Sequence, residues 1–278
     1  MDLPDKKVFS RRSVLAGAAG LAALSIGGLG FINDSEAKTK AKAASPHKWP
    51  WPYVKLDPAR TAEIAYNEWY RLYCGGAVIS SVFGQLKKKV GQPYASFPTD
   101  AFIFLEGGIS GWGTICGSNA GANIVSNLII GPRLSGSYDG MLMGSEIMQW
   151  YSDAAMPVFM PRNPKIKTEI VKTTSESPLC HISVGRWMKA SGKGLKSDER
   201  RDRCARVTAS VAYHLVELLN DWKDGKYDTA GLVPSECGIT AQNNCNDCHG
   251  VDVPPIPPEK TPVTTSLKKG LIGPLTNT

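Results

Sequence analysis

Near its C-terminus the chain carries two cysteines three positions apart with a histidine directly after the second, in the segment Cys245-Asn246-Asp247-Cys248-His249. Two thiols at this spacing can add across the two vinyl groups of one haem, and the adjacent histidine is then held under the iron. A zinc site would need a second ligand pair, and a thioredoxin-like disulfide would need a strand–helix setting. Neither is evident around this segment. The motif therefore predicts one c-type haem per chain, with Cys245 and Cys248 as thioethers and His249 as the proximal ligand.

The chain has four histidines, so three remain as candidates for the sixth position on the haem iron. His47 is the first choice, because it lies in an extended segment that could reach across to a second subunit. His214 is the second choice, on the apolar face of a predicted helix. His181 is the third, since it directly follows a cysteine, and a methionine is a further option. Two neutral imidazoles would give a low-spin, six-coordinate haem that transfers electrons and has no open site for substrate.

The first residues are typical of an export signal. Arg11 and Arg12 precede a weakly apolar run over residues 14–31, and Ser35-Glu36-Ala37 offers small residues for cleavage after Ala37. This pattern resembles a twin-arginine signal. An uncleaved membrane anchor is the alternative, but a run so rich in glycine and alanine anchors poorly. We therefore expect a periplasmic protein, exported by the twin-arginine route and free of the membrane after cleavage.

Charge gives a weaker indication of the partner. The 278 residues carry a formal charge of +7, and the predicted signal contributes nothing to this excess because its charges cancel. A basic surface favours an acidic redox partner, whose association would be steered and salt-sensitive. No basic run is interleaved with stacking aromatic residues, so nucleic acid is not an expected partner.

The expected fold is mainly α, with a helical core, an extended N-terminal arm and a loose C-terminal haem-binding tail. Three prolines within residues 46–52 exclude a helix there. We expect Trp49, Trp51 and Tyr53 of this arm to pack on another surface, such as a second subunit. The division is a twin-arginine signal peptide over 1–37, the arm over 38–56, a helical four-cysteine core over 57–224, and the haem-attachment segment with a Pro-rich tail over 225–278.

Helix signals recur through the core. Asp57 followed by proline is a good N-cap, and apolar residues then recur every three to four positions. This helix is expected to be interrupted at Gly75-Gly76 and a second run to end near Gly91. Further helices are predicted from the small residues after Cys116 to Ile130, within 145–162, from Cys180 onward, and from Asp198 to Asp224. The small residues after Cys116 would allow close approach of either a neighbouring helix or a cofactor.

Four spaced cysteines carry a family resemblance. Cys74 begins the run Cys-Gly-Gly-Ala-Val, a Gly-rich stretch leads to Cys116-Gly117, and Cys180 and Cys204 follow before the end of the core. This arrangement resembles a bacterial redox family defined by four spaced cysteines with a Gly-Cys-Ala type motif. Together with the export signal and the single haem motif, it resembles the split-Soret cytochromes c of sulfate-reducing bacteria.

The resemblance implies a homodimer whose two haems lie close together, with each chain supplying the sixth ligand of its partner's haem. It also implies an iron–sulfur centre, expected to be a [2Fe–2S] cluster, with Cys74, Cys116, Cys180 and Cys204 as ligands. The sequence departs from the family motif because it lacks a cysteine shortly before Cys74 and adds Cys237. The alternative for the core cysteines is a set of buried inert thiols or disulfides.

The expected function is electron transfer through a bis-His haem and an iron–sulfur centre, by an electron carrier more than an enzyme. One alternative is a periplasmic oxidoreductase that reduces a small substrate at the cluster or at an open haem site. Another is a haem-free thiol–disulfide protein whose Cys245 and Cys248 cycle between oxidation states. No Ser/His/Asp set, paired carboxylates or phosphate-binding loop supports a hydrolase or a kinase.

Overall fold

The computed structural model of the chain describes residues 48–132 and 138–228. These residues belong to one compact unit, Pro46–Thr278. The predicted signal peptide, His47, Cys237 and the haem motif Cys245–His249 lie outside the described residues. The fold therefore bears on the four-cysteine core and on the last part of the arm.

The described core is built almost entirely from helices, which confirms the predicted mainly α class. The elements in chain order are α1 (Pro58–Lys89), 3-10 helices at Tyr94–Ser96 and Thr99–Phe104, α2 (Gly117–Ile129), α3 (Asp139–Asp153), β1 (Ala155–Met156), β2 (Thr173–Thr174), α4 (Cys180–Ser191) and α5 (Asp198–Lys223). The two short strands pair antiparallel, with Ala155 opposite Thr174. Within the described ranges, no helix is long and apolar enough to cross a membrane.

Helix α1 begins as its sequence predicts and breaks close to the predicted position. The Asp57 carboxylate accepts a hydrogen bond from the Arg60 backbone N–H at 2.9 Å, which caps the helix. The break lies at Tyr73, whose φ of 54° and ψ of −159° are not helical. Just beyond it, the Gly75 N–H donates to the Leu105 carbonyl at 3.1 Å instead of to a carbonyl of the helix. Cys74 therefore sits at the start of the second half of α1.

Helices α1 and α5 run antiparallel and form the centre of the core. The Tyr53 hydroxyl and the Leu56 carbonyl, just before α1, both bond the Asn220 side chain near the end of α5. Further along, the Tyr66 hydroxyl donates to Asp202 near the start of α5. Apolar side chains from both helices fill the interface, and α2 and α3 cover one side of it. The arrangement brings the middle of α1 against the first third of α5.

The last part of the arm packs on the chain's own helices. The Trp51 ring lies edge-on to Tyr94 at 5.5 Å and to Phe97 at 6.2 Å, and tilted against Phe83 at 6.0 Å. Tyr53 is buried. Trp49 is about half exposed, and its indole N–H donates to the Leu128 carbonyl at 3.1 Å. The expected packing partner of these rings is therefore provided within the chain itself.

Candidate metal centre

Four thiols converge at the point where the core elements meet. Cys74 comes from the second half of α1, Cys116 caps the start of α2, Cys180 is the first residue of α4, and Cys204 lies in α5. Cys74, Cys116 and Cys204 are buried and Cys180 is partly buried; all four are free of disulfides. Cys180 interacts electrostatically with each of the other three, and Cys74 with Cys116 and Cys204. The four predicted ligands therefore share one pocket.

Glycine makes the approach of Cys74 to Cys116 possible. A Cβ atom on Gly75 would meet the Gly117 carbonyl oxygen at 2.6 Å and the Leu105 Cβ at 2.5 Å. A Cβ on Gly117 would collide with the Leu105 carbonyl and would lie 3.0 Å from the Cys74 Cβ. The absence of side chains lets α1, α2 and the Leu105 segment touch backbone to backbone. The small residues predicted to allow close approach do so between these two helices.

Backbone pairing sets Cys180 beside Cys116. The Cys116 N–H donates to the Pro178 carbonyl at 2.8 Å, and the Cys180 N–H donates to the Thr114 carbonyl at 2.7 Å. These bonds form a short antiparallel bridge around Ile115 and Leu179. The bridge joins the entrances of α2 and α4, so two cysteines distant in sequence become neighbours.

Three of the four cysteines stand at helix N-termini. Cys116 and Cys180 begin α2 and α4, and Cys74 begins the half of α1 that follows its break. Unpaired N–H groups at a helix start carry a partial positive charge, which stabilises a thiolate or another anion. The geometry therefore supports negative charge in the pocket from several directions.

Burial nevertheless opposes a set of bare thiolates. It raises the pKa of Cys74 and of Cys180 well above the usual thiol value, and the nearby Cys116 raises each further. Several negative sulfurs cannot coexist in so small an apolar volume without a cation among them. A metal ion bound by the sulfurs supplies that charge and releases the thiol protons. The pocket is therefore suited to neutral thiols or to metal-bound thiolates.

The pocket does not have the form of a closed single-ion site. No group of three or more Cys, His, Asp or Glu side chains within 48–132 and 138–228 is arranged to hold one metal ion. A tetrahedral zinc site needs four sulfurs drawn in to about 2.3 Å from a single centre. The described thiols therefore do not form a ready-made tetrahedral site of this kind.

Nitrogen and oxygen donors surround the sulfurs. The Trp69 indole N–H donates to the Cys74 sulfur at 3.4 Å. Arg203, the residue before Cys204, is fully buried and donates to the Ser183 hydroxyl at 2.8 Å. The Tyr151 hydroxyl donates to the same Ser183 oxygen at 2.8 Å and also bonds the Cys116 side chain. Such donors stabilise negative charge on sulfur and tune the potential of a bound centre.

The three remaining histidine candidates fall in different places. His181 is exposed, and its backbone N–H is held by the Gly113 carbonyl at 3.0 Å. His214 is half-buried on α5 and stacks on Trp150, with ring centroids 4.2 Å apart. It lines a cavity of about 400 Å³ together with Phe159 and Tyr213. His47 lies outside the described residues, so its predicted role stays a prediction.

Sequence reasoning identified the cysteines but missed their polar neighbours. Arg203, Ser183, Tyr151 and Trp69 were not singled out. One signal was available: Arg203 and Arg206 occur at core-facing spacing on a helix whose Cys204 and Val207 were predicted to be buried. A charged residue at such a position requires a partner inside the protein.

Asn119, in the first turn of α2, is also buried, and neither polar atom of its side chain has a partner.

Comparison with known proteins first defines the class. The family model described as "Putative redox-active protein (C_GCAxxG_C_C)" matches residues 77–218. The match contains Cys116, Cys180 and Cys204 and begins three residues after Cys74. The class is therefore a redox-active protein with spaced cysteines.

A relative, matched both by sequence and as a solved structure, then gives the particular family. The "Split-Soret cytochrome c" of Desulfovibrio desulfuricans is 32% identical over 253 residues, which covers 86% of each chain. A solved structure described as "A novel iron centre in the split-Soret cytochrome c from Desulfovibrio desulfuricans ATCC 27774" has a TM-score of 0.61 and 31% identity, covering 77% of this chain and 87% of that chain. The chain belongs to the split-Soret cytochrome c family, as its sequence resemblance predicts. Its role lies in redox chemistry and electron transfer.

Proposed function

We propose that this protein is a periplasmic cytochrome that passes single electrons between a covalently held haem and an iron–sulfur centre. The observation that carries the proposal is the convergence of Cys74, Cys116, Cys180 and Cys204 from four separate elements into one disulfide-free pocket. Thiols kept only for packing or disulfides would have no need of helix starts, a buried arginine and an indole donor around them. The related solved structure is described as holding a novel iron centre, which supports the same proposal.

The chain's own residues would have distinct tasks in this centre. Cys74, Cys116, Cys180 and Cys204 would hold the irons of a [2Fe–2S] cluster, which supplies one-electron redox chemistry when bound. Trp69 would donate to one ligand sulfur, and the glycine contacts between α1 and α2 would keep the pocket closed to water. A dry and positively polarised pocket favours fast electron exchange because little solvent has to reorganise.

The haem part of the proposal rests on Cys245, Cys248 and His249, which lie outside the described residues. Under it, Cys245 and Cys248 form the thioethers and His249 ligates the iron from the proximal side. In the homodimer that we propose, the haem of one subunit pairs with that of the other.

His214 has the features of a prepared sixth ligand among the histidines that the structure describes. Its Nδ1 faces the Glu217 carboxylate at 3.5 Å, while its Nε2 is buried and has no hydrogen-bond partner. Burial lowers the pKa of His214, with Glu217 acting in the opposite direction, so the ring is neutral near pH 7. A neutral imidazole held at Nδ1 by a carboxylate is the usual state of a metal-ligating histidine. His47 remains the alternative from the arm.

Two alanine variants separate these histidines. If His214 is the sixth ligand, His214→Ala gives a five-coordinate, high-spin haem that binds carbon monoxide, while His47→Ala keeps the low-spin spectrum. The opposite result assigns the ligand to His47. Carbon monoxide binding by the unmodified protein would instead favour an oxidoreductase that acts on a small substrate at an open haem.

Serine variants of the cysteines test the iron–sulfur centre. Cys204→Ser should lower iron and acid-labile sulfide per chain while leaving haem content unchanged, because only one kind of site is altered. Cys237→Ser is the matched control, since it removes a cysteine outside the proposed ligand set. Equal losses in both variants would place Cys237 among the ligands, and no loss in Cys204→Ser would remove Cys204 from them.

Export by the twin-arginine route would fit the order in which the two cofactors are added. We propose that the cluster is inserted in the cytoplasm and the haem is attached in the periplasm, after the folded core has crossed. Replacing Arg11 and Arg12 by lysine should then leave cluster-bearing, haem-free protein inside the cell. Haem-bearing protein in the periplasm of that strain would contradict this order.

A further inference from the structure

Arg203 is a buried cation that no carboxylate in the described part of the chain balances. Its side chain is 1% exposed, and within the described residues none of its ion pairs or hydrogen bonds involves an Asp or Glu. Its single hydrogen bond to oxygen goes to Ser183, a neutral hydroxyl, and its Nε has no partner. An unbalanced charge removed from water costs several kcal/mol. The position therefore requires an anion that comes from somewhere other than a carboxylate.

The groups that face Arg203 identify that anion. The guanidinium bonds the Cys204 side chain and interacts electrostatically with Cys204, Tyr151 and Cys116. The guanidinium is charged because an arginine side chain is not deprotonated in proteins. Ser183, held in turn by Tyr151, fixes one end of the guanidinium at 2.8 Å. The cation is thus buried, held by Ser183 and in contact with the Cys204 side chain.

The charge balance of the proposed centre matches this cation. Four thiolates around two irons and two sulfides leave a net negative charge in either oxidation state. A bound cluster would gain one further negative charge on one-electron reduction, and the proposed haem would be the electron donor. A fixed positive charge at close range in a low-dielectric pocket stabilises the reduced state more than the oxidised state. Solvent and salt screen such a buried interaction only weakly.

We propose that Arg203 is the built-in counter-charge of the four-cysteine centre and raises its reduction potential. This inference rests on the proposed iron–sulfur centre and names a residue that sets its reduction potential. Arg203 acts here as a positioning and charge-balancing residue, because it acts through the ligand Cys204. The Ser183–Tyr151 pair keeps its guanidinium in place.

The test compares substitutions on the same turn of α5 in the complete periplasmic protein. Arg203→Met removes the charge and keeps most of the volume, Arg203→Lys keeps the charge, and Arg201→Met removes an exposed charge two residues away. Spectroelectrochemical titration of the cluster should give a more negative potential for Arg203→Met, a smaller change for Arg203→Lys and none for Arg201→Met. Iron and sulfide per chain should fall in the same order.

Ser183→Ala provides a second route if Arg203→Met does not fold, since it releases the guanidinium without removing it. Its cluster potential should also shift negative, by less than that of Arg203→Met. Unchanged potentials in iron-loaded Arg203→Met or in Ser183→Ala would overturn the role of Arg203 alone. Absence of non-haem iron and acid-labile sulfide from the unmodified protein would overturn the cluster and the role of Arg203 together.

Discussion

Two buried arginines, three positions apart on α5, are balanced in opposite ways. Arg206 forms an ion pair with Asp202 at 2.6 Å and also donates to the Met160 sulfur and the Ile166 carbonyl. Arg203 is equally buried, yet among the described residues it contacts the Ser183 hydroxyl and the cysteine pocket and no carboxylate. The first charge is neutralised within the polypeptide and fixes the loop after β1 onto the helices. Within residues 48–132 and 138–228 no carboxylate pairs with the second charge, so under the proposed function the two arginines serve folding and cofactor binding separately.

The largest effect should follow from breaking the Arg206 pair. Asp202→Asn keeps the size of the side chain and an acceptor for Tyr66, but it leaves the Arg206 guanidinium buried and unpaired. The free energy of unfolding should fall by about 3–5 kcal/mol, as when one partner of a buried ion pair is removed. Urea denaturation of iron-free and iron-loaded protein should give the same loss in both. A loss confined to the iron-loaded form would contradict the separation of the two arginines.

The next effect concerns the contact that shapes the pocket. Gly117→Ala places a methyl group into the Leu105 carbonyl and the Cys74 Cβ, so α1 and α2 must move apart. We expect a loss of about 1–3 kcal/mol in the free energy of unfolding, as for other overpacked sites, together with lower iron content.

Gly84→Ala is the control for this substitution, because nothing lies within 4 Å of the added Cβ. On a helix this change should leave iron content unchanged and add up to about 1 kcal/mol of stability. Retention of full iron content in Gly117→Ala would show that the close approach serves packing alone.

Iron removal should reverse the effect of Arg203→Met on stability. In the iron-loaded protein the variant loses the interaction of a cation with the sulfur ligands, worth about 1.5–3 kcal/mol for a charged hydrogen bond. In the iron-free protein the same variant relieves an uncompensated buried charge, so its stability should equal or exceed that of the unmodified chain. Chemical denaturation before and after chelation under reducing conditions measures both. An equal loss in the two forms would assign Arg203 a purely structural role.

The smallest effect should come from removing the neutral hydrogen-bond donor Trp69, and it should be seen in the cluster potential. Trp69→Phe removes the indole N–H that lies 3.4 Å from the Cys74 sulfur and keeps most of the aromatic packing. The cluster potential should move in the negative direction by less than in Arg203→Met, because a neutral hydrogen bond is weaker than one from a charged group. A shift as large as that of Arg203→Met would show that hydrogen bonding, and not charge, dominates the pocket.

Much of the fold could be predicted because its signals are local. The Asp57 cap, the start of α2 after Cys116 and the extent of α5 from Asp198 follow from neighbouring residues alone. The break in α1 was expected at Gly75-Gly76 and lies at Tyr73. It arises because the Leu105 carbonyl, distant in sequence, captures the Gly75 N–H. The glycine pair marks the region of the break, but the hydrogen bond to Leu105 depends on the assembled tertiary structure.

The cysteines of the candidate site could be predicted from the sequence, but the buried arginines beside them could not. Cysteines at spaced positions are visible in the sequence, and their family resemblance grouped Cys74 with Cys116, Cys180 and Cys204. Charged residues on a helix are usually solvated, so the burial of Arg203 and Arg206 depends on tertiary contacts, with Ser183 of α4 in one case and with Met160 and Ile166 in the other. The Ser183 contact that fixes Arg203 joins residues 20 positions apart. Such contacts depend on the assembled tertiary structure.

The most direct test of the account is the optical spectrum of the protein purified from its native cells, with iron, acid-labile sulfide and haem counted per chain. We expect a low-spin haem spectrum with a divided Soret band, more iron than haem, and sulfide in the preparation. Iron equal to haem, no sulfide and an undivided high-spin Soret band would contradict the paired haems and the cysteine-bound centre alike.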